Sequence, residues 1–148
     1  MALVSAGQSG TTYDPDTLYY STPYFWKIVA SDSFYETEGN VWFFNTIDNL
    51  PPDPPANPVP SDGATGVSTT QILSWTCSDP ENDQIFYNVY FGTDPETLQL
   101  MSSGQNGTTY DPGTLSANVQ YFWFIESYDQ FSNGEPMSGN IWSFTTGN

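Results

Sequence analysis

One unusual hexapeptide, GTTYDP, occurs twice in this chain, at residues 10–15 and again at residues 107–112. The similarity extends well beyond these six residues: residues 3–38 match residues 100–135 at 19 of 36 positions. After a three-residue insertion, GNVWFFNT at 39–46 matches GNIWSFTT at 139–146 at five of eight positions. A chain with this much internal identity is built on a repeated module, here of roughly a hundred residues.

A proline-rich segment separates the two copies. NLPPDPPANPVP contains six prolines in twelve residues, and proline cannot donate to a sheet and favours an extended backbone. We therefore predict a linker over 49–55 and a complete module over 56–148. Residues 1–48 match only the second half of that module, so we expect the chain to begin in the middle of a module.

Short runs of β-branched and aromatic residues alternate with turn residues throughout the complete module. Seven such runs are typical of strands: they lie near 56–60 and at 71–77, 85–91, 98–102, 108–110, 120–129 and 139–146. In the second run Leu73, Trp75 and Cys77 fall on one face, which indicates a strand with one buried side. The pattern predicts an all-β protein, a seven-stranded antiparallel β-sandwich preceded by a half-module of strands.

Several residues carry a resemblance to a known family. Trp75 lies in the second strand, YNVYFGT forms the third, and Leu115 precedes Tyr121 by six residues. The half-module repeats that spacing with Leu18 and Tyr24. The module resembles the fibronectin type III family, with its immunoglobulin-like fold, in the variety common on bacterial and archaeal surface or secreted proteins. The resemblance implies a tyrosine corner, in which the Tyr hydroxyl bonds to the backbone just before its strand.

Charge and residue types exclude several classes of function. The chain has 17 acidic residues, Lys27 as its single basic residue, no His and a formal net charge of −16. It cannot neutralise phosphates, which excludes nucleic acid as a partner, and it has no apolar run long enough for membrane insertion. Without His, and with one Cys, serine triads, thiol–imidazole pairs and histidine metal sites cannot be assembled. A carboxylate pair, as in glycosidases, is formally available, but nothing in the sequence places two acids in a recognisable cleft. We therefore expect no enzyme.

Two functions remain open. The first is a non-catalytic structural spacer or interaction module of a tandem-repeat protein, with neighbouring repeats as partners. Its location would be extracellular or at the cell surface. The chain has almost no basic residues and is rich in Ser, Thr, Asn and Gly, a composition common in secreted and surface proteins. The first ten residues do not read as a signal peptide, so we expect one upstream. The alternative is an adhesive or carbohydrate-binding module, favoured by an aromatic content of 17%, with a protein or glycan ligand.

Acidic residues suggest one candidate metal site. Asp79, Glu81 and Asp83 alternate in the loop between the second and third strands. In such a sandwich this loop shares a pole with the loop that begins at Asp129, and carboxylates from several loops suit Ca²⁺. The alternative is that these residues form turns and are solvated. No cofactor other than calcium is expected.

Aromatic residues suggest a candidate binding surface. If Tyr121 points into the sandwich, Phe122 and Phe124 point outward, and Phe86 and Tyr90 of the neighbouring third strand do the same. Contiguous exposed aromatic side chains mark interfaces or sugar platforms. The alternative is that these rings pack on one another as cross-strand pairs.

The half-module presents a different problem. Its runs at 24–32 and 39–46 are expected to pair as a hairpin, whose apolar face has no opposite sheet. The covering strands would lie upstream, come from another molecule, or be borrowed from 56–91. Short connections favour local pairing. We therefore expect 56–146 to fold as the complete sandwich, and the full chain to self-associate or to lose 1–48 to protease.

Overall fold

A computed structural model describes residues 2–131 and 135–148 of the chain. It divides the chain into two compact units, Met1–Asn49 (unit 1) and Leu50–Asn148 (unit 2). All regular elements in the described ranges are β-strands, so the all-β class predicted from the sequence is confirmed. Across the same ranges, no helix is both long and apolar enough to cross a membrane.

Unit 1 contains four short strands: β1 (Pro23–Trp26), β2 (Val29–Ser31), β3 (Glu36–Glu38) and β4 (Trp42–Asn45). β1 pairs antiparallel with β4, and β2 pairs antiparallel with β3, so the unit consists of two two-stranded sheets. None of residues 2–49 is buried. Unit 1 therefore has paired strands without a hydrophobic core of its own.

Unit 2 is a β-sandwich. Its strands are β5 (Ala56–Val59), β6 (Ala64–Val67), β7 (Leu73–Thr76), β8 (Ile85–Gly92), β9 (Gln99–Gln105), β10 (Thr109–Tyr110), β11 (Gln120–Asp129), β12 (Met137–Ser138) and β13 (Trp142–Thr146). The smaller sheet has the order β10-β7-β5. The larger sheet has the order β6-β13-β11-β8-β9, with β12 paired to β11.

The core lies between these two sheets. Alternate residues of β7, β8, β11 and β13 are buried, as the period-2 pattern predicts. The indole of Trp75, from the smaller sheet, has its ring centroid 5.4 Å from that of Tyr87 and 6.4 Å from that of Trp123, both in the larger sheet. Burial of each large apolar side chain contributes about 1.5–3 kcal/mol, so these aromatic contacts hold the two sheets together.

Two short strands, β6 and β12, were not predicted from the sequence. β6 adds a parallel strand pair to a sandwich that was expected to be antiparallel throughout. β6 runs parallel to β13, with Ala64 opposite Phe144, so the sandwich is not wholly antiparallel. β6 contains Gly66 in the left-handed region, with φ of 69°, which glycine adopts without steric cost. The register of the pair also shifts between Thr145 and Thr146. Such an irregular four-residue strand shows no alternation in the sequence.

The proline-rich segment packs on unit 2. Pro52 and Pro55 are buried, and the backbone N–H of Asp53 donates to the carbonyl of Ser78 at 2.8 Å. The Ser78 hydroxyl in turn donates to the Asp53 carboxylate at 2.6 Å. The boundary between the units accordingly falls after Asn49, and most of the segment expected to be a linker is attached to the sandwich.

The Leu–x5–Tyr spacing has the geometry expected of a tyrosine corner. The Tyr121 hydroxyl oxygen accepts the backbone N–H of Ser116 at 3.1 Å, and Leu115 is buried beside it in the core. In unit 1 the Tyr24 hydroxyl oxygen accepts the N–H of Tyr19 at 3.0 Å, whereas Leu18 is only half-buried. The local bond therefore forms in both copies, although only unit 2 buries the leucine.

Candidate functional site

The outer surface of the larger sheet carries a group of aromatic side chains. We call it the aromatic face and define it by its residues: Phe86, Tyr90, Phe122, Phe124 and Tyr128. They project from β8 and β11, which pair antiparallel over eight residues. Most of their sequence neighbours on both strands are buried, so strict alternation places these rings on the opposite side of the sheet.

Four of the five rings of the aromatic face form two cross-strand pairs, whereas Phe122 lies opposite Gly92. Tyr90 and Phe124 lie directly opposite, and their rings stack with centroids 4.3 Å apart and planes 4° apart. Phe86 and Tyr128 stack less closely, at 5.8 Å and 29°. All are half-buried. Such cross-strand pairs contribute about 0.2–1 kcal/mol each, so the packing role expected as the alternative is present in the structure.

A polar cluster lies between the two stacked pairs. Glu126 Oε2 accepts the Tyr90 hydroxyl at 3.0 Å and the Asn88 side-chain amide at 3.1 Å. Asn88 Oδ1 accepts the Ser103 hydroxyl and the backbone N–H of Gly104, each at 3.1 Å. Burial, together with the Glu126 carboxylate, raises the pKa of Tyr90. The tyrosine therefore stays protonated at neutral pH and donates to Glu126.

Tyr128 and the polar cluster around Glu126 were not predicted from the sequence. Phe86, Tyr90, Phe122 and Phe124 are half-buried side chains of β8 and β11, and ligand binding by them stays a prediction. Tyr128, the stacking partner of Phe86, continues the same alternation two residues beyond Glu126 and was within reach of the same argument. The link from Asn88 to Glu126 depends on the register of β8 against β11, for which the sequence contains no direct signal.

The acidic residues proposed as calcium ligands organise their own turns. Asp79 Oδ1 accepts the backbone N–H groups of Glu81 and Asp83 at 3.0 and 2.8 Å. Asp129 Oδ1 accepts the N–H of Phe131 at 2.6 Å. Both aspartates are buried. These bonds are the ones expected if the residues act as turn formers.

Calcium binding by these residues stays a prediction. Over residues 2–131 and 135–148, no three His, Cys, Asp or Glu side chains are grouped as the ligands of a metal ion would be. The structure thus does not assemble Asp79, Glu81, Asp83 and Asp129 into one site. However, Asp79 Oδ2 is buried and has no hydrogen-bond partner within the described ranges. A cation is one ligand that would satisfy this oxygen.

Cys77 lies outside any candidate site. It is half-buried, and its thiol donates to the backbone carbonyl of Asp53 at 3.0 Å. Burial raises the pKa of the Cys77 thiol, so the thiolate, which is the nucleophilic form, is disfavoured. This hydrogen bond joins the residue after β7 to the proline-rich segment.

Comparison with known proteins yields structural neighbours without a family assignment. No protein-family model matches the chain, and no curated protein matches it. A solved fibronectin type III domain of human fibronectin type III domain containing protein 3 is 22% identical, with a TM-score of 0.47, and the match covers 65% of this chain and 86% of that one.

Two multidomain structures match a larger share of the chain. The chicken CNTN1 FN1–FN3 domains are 14% identical, with a TM-score of 0.49, and the match covers 87% of this chain and 44% of that one. Domains d3–d4 of the rat CD45 extracellular region are 13% identical, with a TM-score of 0.49, and the match covers 99% of this chain and 75% of that one. At these identities and TM-scores the matches carry no further argument, and the sandwich architecture of unit 2 rests on its own strand pairings.

Proposed function

We propose that this chain is a non-catalytic structural and interaction module of a tandem-repeat protein, located outside the cell or at its surface. Unit 2 is one complete repeat and unit 1 is the second half of another. The observation that carries the proposal is the repeat itself, in which 24 of 44 aligned positions are identical. A chain that repeats one folded unit gains length and spacing from each copy.

Composition supports this function. A net charge of −16 favours solubility and disfavours association between like-charged copies except through specific contacts. With no His and only one Lys or Arg, the chain cannot form Ser–His or Cys–His catalytic pairs. The replacement of basic residues by small polar ones is typical of secreted and surface proteins. These features fit a spacer between other domains.

A second candidate function is the adhesive or carbohydrate-binding one, and the aromatic face is the observation that favours it. Phe86, Tyr90, Phe122 and Phe124 are the candidate binding residues. The flat stack of Tyr90 on Phe124, beside the Glu126 carboxylate, offers an apolar surface next to a hydrogen-bond acceptor. A sugar ring presents one apolar face and a rim of hydroxyl groups, so the two surfaces are chemically complementary.

Glycan binding separates these two functions. The full chain would be screened on a glycan array, and any hit would be titrated by calorimetry. The double variant Tyr90→Ser with Phe124→Thr removes the stack, and Phe34→Thr, at an exposed ring of unit 1, is the matched control. A spacer gives no glycan signal in any of the three proteins. Binding that is lost in the double variant and kept in the control would instead establish the aromatic face as a binding site.

A further inference from the structure

Unit 1 reproduces the pairing of the second half of unit 2, residue by residue. In the β1–β4 pair, Tyr24 lies opposite Phe44 and Trp26 opposite Trp42. In the β11–β13 pair, the matching positions of the repeat are paired in the same way: Tyr121 with Phe144, and Trp123 with Trp142. The two hairpins thus have one register and the same aromatic residues at four positions.

The backbone bonds around the two hairpins also correspond. Gly39 N–H donates to Ile28 O at 2.8 Å, and Gly139 N–H donates to Ile125 O at 2.8 Å. At the other end, two further matched bonds are each 3.1 Å long: Thr46 N–H to Thr22 O, and Thr146 N–H to Val119 O. Unit 1 therefore has the local structure that this half adopts inside a complete sandwich.

What differs between the copies is the covering of one face. Trp123, Trp142 and Phe144 are 0%, 5% and 1% exposed in unit 2, whereas their counterparts Trp26, Trp42 and Phe44 are 46%, 43% and 42% exposed. In unit 2 the covering side chains belong to the first half of the module. Phe91 of β8 stacks 5.1 Å from Tyr121, and Trp75 of β7 packs against Trp123.

We call the uncovered surface of unit 1 the open face and define it by four residues: Tyr24, Trp26, Trp42 and Phe44. An isolated two-stranded hairpin is marginally stable in water at best. A contiguous exposed aromatic surface of this kind is typical of an interaction site. The open face therefore needs a partner, and the repeat indicates what that partner resembles.

Residues 1–148 of a second copy do not hold a spare covering segment. They contain one first half, β5 to β8, and two second halves that need one. In unit 2 the first half is already in use, because β8 pairs with β11 and β7 packs over Trp123. Exchange of β5 to β8 between copies would leave as many open faces as before.

We propose that the open face binds the first half of another fibronectin type III-like module, a segment equivalent to residues 50–99. Its third strand would pair beside β1 as β8 pairs beside β11, with a residue like Phe91 opposite Trp26. Its second strand would bring a tryptophan like Trp75 over the same ring. The proposal goes beyond the spacer function and does not depend on whether the aromatic face has a ligand.

The test adds the missing half to the full chain. A second copy of residues 50–99 is inserted directly before Leu3, because Leu3 corresponds to Leu100 in the repeat. Hydrogen exchange of residues 23–45 is expected to slow by about 100-fold or more relative to the original chain, since opening of β1 and β4 would become cooperative. Emission of Trp26 and Trp42 should shift to shorter wavelength. The matched control has the same added segment with Trp75→Asp and Val89→Asp in the added copy only.

A second measurement supplies the same segment as a separate peptide of residues 50–99, mixed with the unmodified full chain. It should slow exchange of residues 23–45, and the peptide with the two aspartates should not. The proposal is overturned if neither the fused nor the separate segment protects 23–45 more than its control. It is also overturned if sedimentation shows that the unmodified chain dimerises and that this dimer alone protects 23–45, because the occupant would then be a second copy.

Discussion

Tyr121 fixes the start of the longest strand to the loop that precedes it, because its hydroxyl oxygen accepts the N–H of Ser116. Replacing Tyr121 by Phe removes this acceptor and leaves the ring in the core. We expect the free energy of unfolding of unit 2 to fall by about 0.5–1.5 kcal/mol, measured by denaturant unfolding of the full chain. Tyr24→Phe removes the matching bond in unit 1 and should leave that transition unchanged. An equal loss of unfolding free energy in Tyr121→Phe and Tyr24→Phe would contradict a specific contribution of the Tyr121 hydrogen bond to unit 2.

Asp79 is the residue at which calcium binding is best tested, because its Oδ1 holds the turn while its buried Oδ2 has no partner among the described residues. Bound calcium stabilises the folded state by mass action. A calcium site at this loop predicts a higher melting temperature in millimolar calcium than in chelator. Asp79→Asn should abolish that difference. Equal melting temperatures of the unmodified chain in the two solutions would exclude the site.

At the scale of elements, β8 and β11 make the stability of unit 2 sensitive to alkaline pH. Burial raises the pKa of Tyr87, with a smaller contribution from Cys77, and burial with Glu126 raises the pKa of Tyr90. Unfolded tyrosine has a pKa of about 10. Below that pH both states are protonated and the stabilisation is fully present. As the pH rises further, the unfolded chain loses these protons first, so stability falls until the folded pKa is passed.

Urea unfolding of the full chain between about pH 9 and pH 12 measures this dependence. Tyr90→Phe removes the ionisable group at this position. The decline in stability with pH should therefore be shallower than in the unmodified chain. Tyr35→Phe, at an exposed position of unit 1, should leave the decline unchanged. If Tyr90→Phe and Tyr35→Phe behave alike, Tyr90 does not contribute to the effect.

The same elements show how far the sequence predicts the structure. β8 and β11 alternate over eight and ten residues, so both their existence and the outward direction of Phe86 and Phe124 follow from the pattern. β6 and β12 have four and two residues, too few for a period to be visible. The hydrogen bonds to Glu126 depend on cross-strand register, which does not follow from composition or spacing. The bonds of Asp79 Oδ1 to its own turn follow from the turn-forming sequence, whereas the burial of Oδ2 without a partner among the described residues does not.

At the scale of the whole molecule, the two units should differ in their resistance to protease. None of residues 2–49 is buried, and Phe34 and Tyr35 are 85% and 77% exposed. A protease that cuts after aromatic residues should therefore cleave unit 1 first and leave a resistant fragment that begins near Leu50. Mass spectrometry over a time course identifies the products. Simultaneous loss of both units would show that the sandwich is not independently stable.

The parallel pairing of β6 with β13 has a mechanical consequence for unit 2. β6 lies near the beginning of the unit and β13 at its end. Tension applied to the two ends of the unit therefore shears the two strands along their length. The bonds along this seam, among them Gly63 N–H to Ser143 O and Gly147 N–H to Val67 O, then share the force and break together. In an antiparallel pair pulled from one end, the hydrogen bonds would instead break one after another. We therefore expect a repeat closed in this way to keep its length when it is stretched.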